Sequence, residues 1–260
     1  MTFIEKVKNI KKGKKDIIIG SWINSVSPII SEILSSAGFD FLCIDAEHSA
    51  IDYYNTVLLL QAIKAGNPNC APIIRMQGNN YADTKRYLDA GALGVIAPLI
   101  NSKSEAEYLI ESVKYPPVGK RGVGFGRSHG YGFDFNNYMK FAEDNLFTAI
   151  QIEHIDAINN LEDILSVEGI DAVFIGPYDL TASMGITAEF HNESYMKVIE
   201  HINQVCQEKK IISGIHVVEP SVKQVIDRYK EGYNLIAYSL DITILGTNVR
   251  KAIKQIYNEL

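Results

Sequence analysis

Short, continuously apolar runs rich in Ile, Val and Phe alternate along this chain with longer amphipathic stretches. Eight runs have the length and residue types of strands: 16–23, 39–45, 71–76, 94–100, 148–153, 172–176, 211–217 and 235–241. Most are apolar throughout rather than alternating, as expected for parallel strands covered on both faces. Helical stretches fill the gaps at 28–36, 54–64, 82–90, 103–114, 158–166, 195–208, 220–229 and 242–258. In the last of these, Ile242, Leu245, Val249, Ile253 and Ile256 recur at helical spacing, which predicts an inward-facing stripe. Gly38 and Gly91 fall just past helices, where a left-handed C-cap is free of steric cost. Eight strand-then-helix repeats predict a single (β/α)₈ (TIM) barrel over residues 1–260.

Two stretches break the rhythm. Residues 115–137 are rich in Gly and aromatic side chains with no clear period, and 186–194 form a shorter polar insertion. A long unpatterned loop in a compact domain is commonly functional, and the Arg and aromatic content of the longer stretch favours that reading.

Composition narrows the picture. The 260 residues are 47% hydrophobic and 22% charged, the ordinary balance of a globular protein. A net charge of -6 argues against nucleic-acid binding, which depends on clustered cations. The one basic run, 6–15, reads as a solvated first helix ending near Gly13, with cations towards its C-terminus. No stretch has the length and apolarity of a membrane span, and no signal-type core follows the basic N-terminus. A cytoplasmic protein without membrane partners is therefore expected. Cys43, Cys70 and Cys206 are too few and too scattered for a disulfide framework or zinc site and read as buried hydrophobes.

In a (β/α)₈ barrel the C-terminal ends of the strands build the active site, so polar residues there carry particular weight. The second strand ends at Asp45 and leads into Glu47 and His48. The third carries Arg75, the fifth ends with Gln151 and Glu153, and the sixth runs into Asp179. Glu153 and Asp179 follow consecutive strands, and two carboxylates suit an oxygen-preferring divalent ion. Spacing alone is equally compatible with two helix caps or ion-pair partners. Arg75 could grip a carboxylate or a carbonyl oxygen that becomes negative during reaction, or form a buried ion pair with Asp45 or Asp89. His48 could transfer protons near neutral pH, oriented by Asp45 and Glu47. His154, His129 and His216 are weaker candidates, and His154 should point away from Glu153. No expected strand contains a lysine, so metal-assisted enolate chemistry is favoured over Schiff-base chemistry.

At these residues the chain resembles the HpcH/HpaI family of class II, metal-dependent aldolases. The matching segments are Ile44-Asp45-Ala46-Glu47-His48, Ile74-Arg75, Leu88-Asp89-Ala90-Gly91, Tyr115-Pro116-Pro117 with Arg121-Gly122-Val123, Gln151-Ile152-Glu153 and Gly169-Ile170-Asp171. The most specific is Phe174-Ile175-Gly176-Pro177-Tyr178-Asp179-Leu180. The resemblance implies that Glu153 and Asp179 hold the metal, with Mg²⁺ favoured and Mn²⁺ or Co²⁺ as substitutes. It implies that Arg75 binds a pyruvate-like 2-oxo acid and stabilises its enolate, and that His48 moves protons with Asp45 and Asp89 in support. Gln151, Gly176, Pro177, Tyr178 and Arg127 are implied as further substrate contacts. A homo-oligomer, with the last helix exchanged between subunits, is also implied.

Four positions depart from the family pattern. Ala46 stands where some members have Gly, Tyr178 where a small residue usually precedes the second metal ligand, and His216 and Tyr238 at strand ends that usually carry small or aliphatic side chains. With the cations around Phe125, Arg127 and His129, these suggest a substrate with more than one carboxylate. The leading expectation is an aldolase that cleaves or forms 4-hydroxy-2-oxo acids. One alternative is a citrate synthase-like condensation of oxaloacetate with acetyl-CoA, as in siderophore biosynthesis. The other is a catalytically silent binding barrel.

Overall fold

The computed structural model describes residues 1–260. Eight parallel strands close into one barrel in sequence order: β1 (Ile18–Ile23), β2 (Phe41–Asp45), β3 (Ala71–Arg75), β4 (Gly94–Ala97), β5 (Phe147–Ile152), β6 (Ala172–Ile175), β7 (Ile212–Val217) and β8 (Leu235–Leu240). The eight strand expectations hold, with ends shifted by a few residues. No helix is long and apolar enough to cross a membrane.

Strand periodicity divides the apolar runs into two layers. Trp22, Phe41, Cys43, Ile73, Phe147, Ala149, Phe174, Ile212 and Ala237 belong to the core inside the barrel. Leu42, Ile44, Ile74, Ile150, Ile152, Val173 and Ile236 pack outward beneath the helices. A run that looks uniformly apolar therefore still sets a parity, and that parity sends Asp45, two residues beyond Cys43, and Arg75, two beyond Ile73, to the inner side.

The first helix, α1 (Phe3–Lys11), closes the N-terminal end of the barrel. Thr2 and Glu5 form its capping box, and Phe3 packs edge-on against Phe147 at 5.1 Å. Its cations are less solvated than expected, because Lys6 pairs with Asp40 at 2.9 Å and Lys11 with Asp171 at 2.7 Å. The following helices are α2 (Pro28–Ser36), α3 (Tyr53–Gly66), α4 (Tyr81–Asp89) and α5 (Lys103–Val113). Gly38 and Gly91 have φ of +99° and +101°, as their C-cap positions require. The three cysteines are buried and free.

Within 115–137 the chain forms a 3₁₀ turn at Arg127–Gly132 and then enters α6 (Phe135–Asn145), a helix that sequence periodicity did not reveal. The stretch expected as one helix at 158–166 is broken into α7 (Ile155–Asn159) and α8 (Leu161–Ile164). After β6 comes the unanticipated short helix α9 (Pro177–Ser183), then α10 (Glu193–Lys209), α11 (Val222–Lys230) and α12 (Asp241–Glu259).

The apolar stripe of α12 does not face this barrel's core. Ile242, Leu245, Val249, Ile253 and Ile256 are each about half exposed, at 49–58%. Only the start of α12 is held, where buried Asp241 accepts hydrogen bonds from the backbone N–H groups of Asn24 and Ser25. Helical spacing revealed the stripe but not the surface that covers it.

Candidate active site

The C-terminal mouth of the barrel is organised around Arg75 and Asp45. Arg75 Nε and Nη2 donate to the two Asp45 oxygens at 2.9 and 2.6 Å, the fork-on-carboxylate geometry that suits guanidinium. Asp45 also accepts from Asn24 Nδ2 at 2.8 Å and from the backbone N–H groups of Glu47 and His48 at 3.1 and 3.2 Å. Burial opposes charge on Asp45, but the hydrogen bonds and charge of Arg75 outweigh it and hold the carboxyl below its usual range. Beneath the guanidinium lies Trp22, whose ring centroid is 4.4 Å from Arg75 Cζ.

Glu47 approaches Arg75 Nε at 3.3 Å, yet its Oε2 is buried without a hydrogen-bond partner. Burial pushes the Glu47 carboxyl up and the charge of Glu153 adds to this, while Arg75 pulls the other way. His48 is exposed, with Nε2 3.8 Å from Glu47 Oε2.

Glu153 is buried just beyond β5. It accepts from the backbone N–H of Leu99 at 2.8 Å and from Gln151 Nε2. Leu99 adopts a left-handed φ of +53° just past β4, a costly conformation for a branched residue that here aims its N–H at the carboxylate. Gly176, the N-cap of α9, lies so close that a Cβ there would meet Glu153 Oε2 at 3.0 Å. That close approach brings α9 against the carboxylate, with Pro177 first in the helix and Asp179 exposed in its first turn. Neither alternative role is observed for the pair. No side chain caps α9, and neither carboxylate forms an ion pair.

The donor set fits a hard divalent cation. The charges of Asp45 and Glu153 both act on Glu47 beside the single Arg75 guanidinium, so the half-enclosed mouth carries surplus negative charge. No group of three or more His, Cys, Asp or Glu side chains converges as a ready-made metal shell.

His216 enters the same mouth from β7. Its ring lies 5.4 Å from that of Trp22, and burial lowers its pKa to about 4. The unfolded chain therefore binds a proton that the folded chain resists between pH 6.5 and 4. Stability from this group is complete above pH 6.5 and is lost as the pH falls towards 4. Thermal midpoints measured across that interval should fall with acidification, and less steeply for His216→Leu.

Several expected residues lie elsewhere. Asp89, at the end of α4, pairs with buried Arg121 at 2.7 Å rather than with Arg75. Arg127 donates to the Ala90 carbonyl at 3.2 Å and packs on Gly91. Both belong with the α5–β5 connection, and helix-to-strand connections lie at the barrel end opposite the mouth. Tyr238 stacks on Phe39 in the layer outside the strands, with 6.5 Å between centroids. Buried His129 packs against Tyr138 at 4.5 Å in the loop region. His154 lies beyond the end of β5 and caps α7, accepting from the Asp156 N–H. Tyr178 stays at the rim, edge-on to Phe190 of the polar insertion at 5.0 Å. Trp22, Asn24 and the Leu99 N–H were not anticipated. Only Trp22 had a sequence signal, as the one bulky aromatic near the end of the first strand.

The HpcH/HpaI aldolase/citrate lyase family profile matches residues 19–245. The chain belongs to that family. Among curated HpcH/HpaI relatives, the hydroxypyruvate/pyruvate aldolase of Roseobacter denitrificans is 31% identical over 241 residues, covering 92% of this chain and 91% of the relative. The 2-keto-3-deoxy-L-rhamnonate aldolase of Klebsiella pneumoniae is 35% identical over 231 residues, 88% of this chain and 84% of the relative. A solved family member from Burkholderia cenocepacia superposes with a TM-score of 0.90 at 26% identity, covering 98% and 99% of the two chains. Two more distant structures share the fold. The citrate synthase SbnG has a TM-score of 0.84 at 21% identity, covering 97% of both chains. The citrate lyase beta subunit of M. tuberculosis, solved with oxaloacetate and magnesium, has a TM-score of 0.60 at 12% identity, covering 91% and 96%. The curated HpcH/HpaI relatives are thus 2-oxo acid aldolases, and this chain is an enzyme of the aldolase type.

Proposed function

We propose that residues 1–260 form one catalytic unit, a cytoplasmic, divalent-metal-dependent aldolase that cleaves or forms 4-hydroxy-2-oxo acids through a pyruvate-type enolate. The observation that carries this reading is the locked Arg75 beside the surplus carboxylates of the mouth. Glu153 and Asp179 would hold the ion, Mg²⁺ by preference. When bound, it supplies Lewis-acid polarisation of the 2-oxo group.

The chain's own residues account for the remaining work. Asp45 and Trp22 hold Arg75 in one orientation, so its free N–H groups are pre-aimed at the substrate oxygen on which charge develops. His48, beside Glu47, would take the proton of the 4-hydroxyl. The C3–C4 bond then breaks, its electron pair becomes the C2–C3 double bond of the enolate while the carbonyl π pair moves to the C2 oxygen, and the aldehyde departs. Protonation of C3 by the same imidazole yields the 2-oxo acid. Gln151 steadies Glu153, while Gly176, Pro177 and Tyr178 shape the rim.

The test is pyruvate release from a panel of 4-hydroxy-2-oxo acids by chelator-stripped enzyme with Mg²⁺, Mn²⁺ or Co²⁺ restored. Metal-dependent pyruvate is expected, and none across the panel would overturn the reading. Condensation of oxaloacetate with acetyl-CoA has the support of a shared fold, and thiol release in a parallel assay tests it.

The exposed stripe of α12 supports a homo-oligomer in which this helix packs on a neighbouring subunit. Ile30, Ile33 and Leu34 of α2 line an apolar groove with Ile244 and Leu245 of α12, continuing the uncovered surface. Such an area is unusual for a monomer. Leu245→Asp combined with Ile253→Asp is expected to shift the sedimenting species to the mass of one chain. An unchanged sedimentation coefficient would remove α12 from the interface.

A further inference from the structure

We infer that His216 is a specificity residue that accepts a hydrogen bond through Nδ1 from a hydroxyl group of the substrate. This inference rests on the aldolase reading above and adds a substrate class to it.

The tautomer follows from the partner. His216 Nε2 lies 2.9 Å from the carbonyl oxygen of Ser239. A carbonyl only accepts, so Nε2 carries the proton and, in the neutral ring, Nδ1 is a bare acceptor. Nδ1 has no partner in the chain, and it is absent from the buried polar atoms left without one. It therefore keeps accessible surface, and His216 shares the inner parity of Ile212 near the C-terminal end of β7.

The backbone that sets this tautomer is unusual. Ser239 is fully buried with a φ of +51°, and the β1–β8 register slips between Gly20 and Trp22 beside it. A left-handed serine in a strand is strained and persists only where its surroundings hold it. Here Ser239 Oγ donates to the Val218 carbonyl at 2.8 Å, while Ser21 Oγ donates to the carbonyls of Tyr238 at 2.8 Å and Ser239 at 3.3 Å. The outcome of that strain is a carbonyl aimed at one imidazole nitrogen, which leaves the other without a partner in the chain.

The surroundings also set the charge. The ring packs against Trp22, whose indole also carries the Arg75 guanidinium, and that charge disfavours a second cation nearby. A neutral acceptor repels a carboxylate and welcomes an O–H. His216 thus argues against the substrate with several carboxylates suggested by sequence, and for a hydroxylated one. The hydroxyl can belong to the 2-oxo acid, as in hydroxypyruvate, or to the aldehyde, as in glycolaldehyde.

The test compares aldol addition in two arms, hydroxypyruvate against pyruvate with one aldehyde, and glycolaldehyde against acetaldehyde with pyruvate. The Mg²⁺-loaded wild type should prefer the hydroxylated partner in one arm by about tenfold in kcat/KM, the scale of a neutral hydrogen bond. That ratio should collapse towards one in His216→Leu and be partly restored in His216→Asn, whose side-chain oxygen replaces Nδ1. The ratio cancels any general loss from altered packing. No preference in either arm, or an equal preference in His216→Leu, overturns the inference. A separate readout is the ¹⁵N spectrum of histidine-labelled protein, assigned with His216→Leu. A non-protonated Nδ1 that shifts on adding the preferred hydroxylated compound supports the inference even if no turnover occurs, in which case only the aldolase reading fails. A protonated Nδ1, or no shift with either hydroxylated compound, overturns it.

Discussion

Arg75→Lys is expected to lower kcat/KM for pyruvate release by at least about 100-fold, the scale of losing one aimed donor at a developing oxyanion. Lysine keeps the charge but not the fork. It cannot make both the 2.9 and 2.6 Å bonds to Asp45 while lying flat on Trp22. A flexible ammonium would instead settle between Asp45 and Glu47, and the substrate oxygen would lose its donor. Lysine is a better test than alanine, which would leave buried Asp45 without its counter-charge and cost about 3–5 kcal/mol of stability. Steady-state kinetics paired with urea denaturation separates the two effects. A kcat/KM within about threefold of wild type, in a protein of unchanged stability, would remove Arg75 from the chemistry.

Glu153→Gln is expected to weaken Mg²⁺ or Mn²⁺ binding by at least about 100-fold, beyond what changes outside the ligand set typically cause, and to abolish metal-dependent turnover. The amide keeps the volume and an oxygen that can accept from the Leu99 N–H, and Gln151 can turn its own amide oxygen to the new NH₂, so the change removes charge with little disturbance of packing. In the metal-free protein the substitution should leave the thermal midpoint unchanged or raise it, because the charge of Glu153 disfavours that of Glu47. Reduced metal affinity with undiminished apo stability distinguishes a binding carboxylate from a structural one. Calorimetric titration showing wild-type affinity would sink the assignment of Glu153 to the metal.

Much of this site was legible because strand parity is local. Once Cys43 faces the barrel interior, Asp45 must also, and the same step of two carries Ile73 to Arg75 and Ala149 to Gln151. The absence of lysine from the strands narrowed the chemistry in the same way. Asp179 was harder to read, because α9 is too short for periodicity to reveal and its start depends on Gly176 approaching Glu153. Leu99 left no signal at all, since it contributes through a backbone N–H whose direction is set by a left-handed turn.

The chain by itself therefore determined the barrel, its strand order and which polar side chains point into it, because these follow from alternation and from the short connections between neighbouring elements. Tertiary structure decided what meets what over distance. It assigned Asp89 to Arg121, took Arg127 to the far end of the barrel and left the α12 stripe uncovered. It also joined the last strand to the first with a register slip that brings the Ser239 carbonyl to His216. Ring closure and loop packing are long-range constraints, and no local pattern of residues carries them.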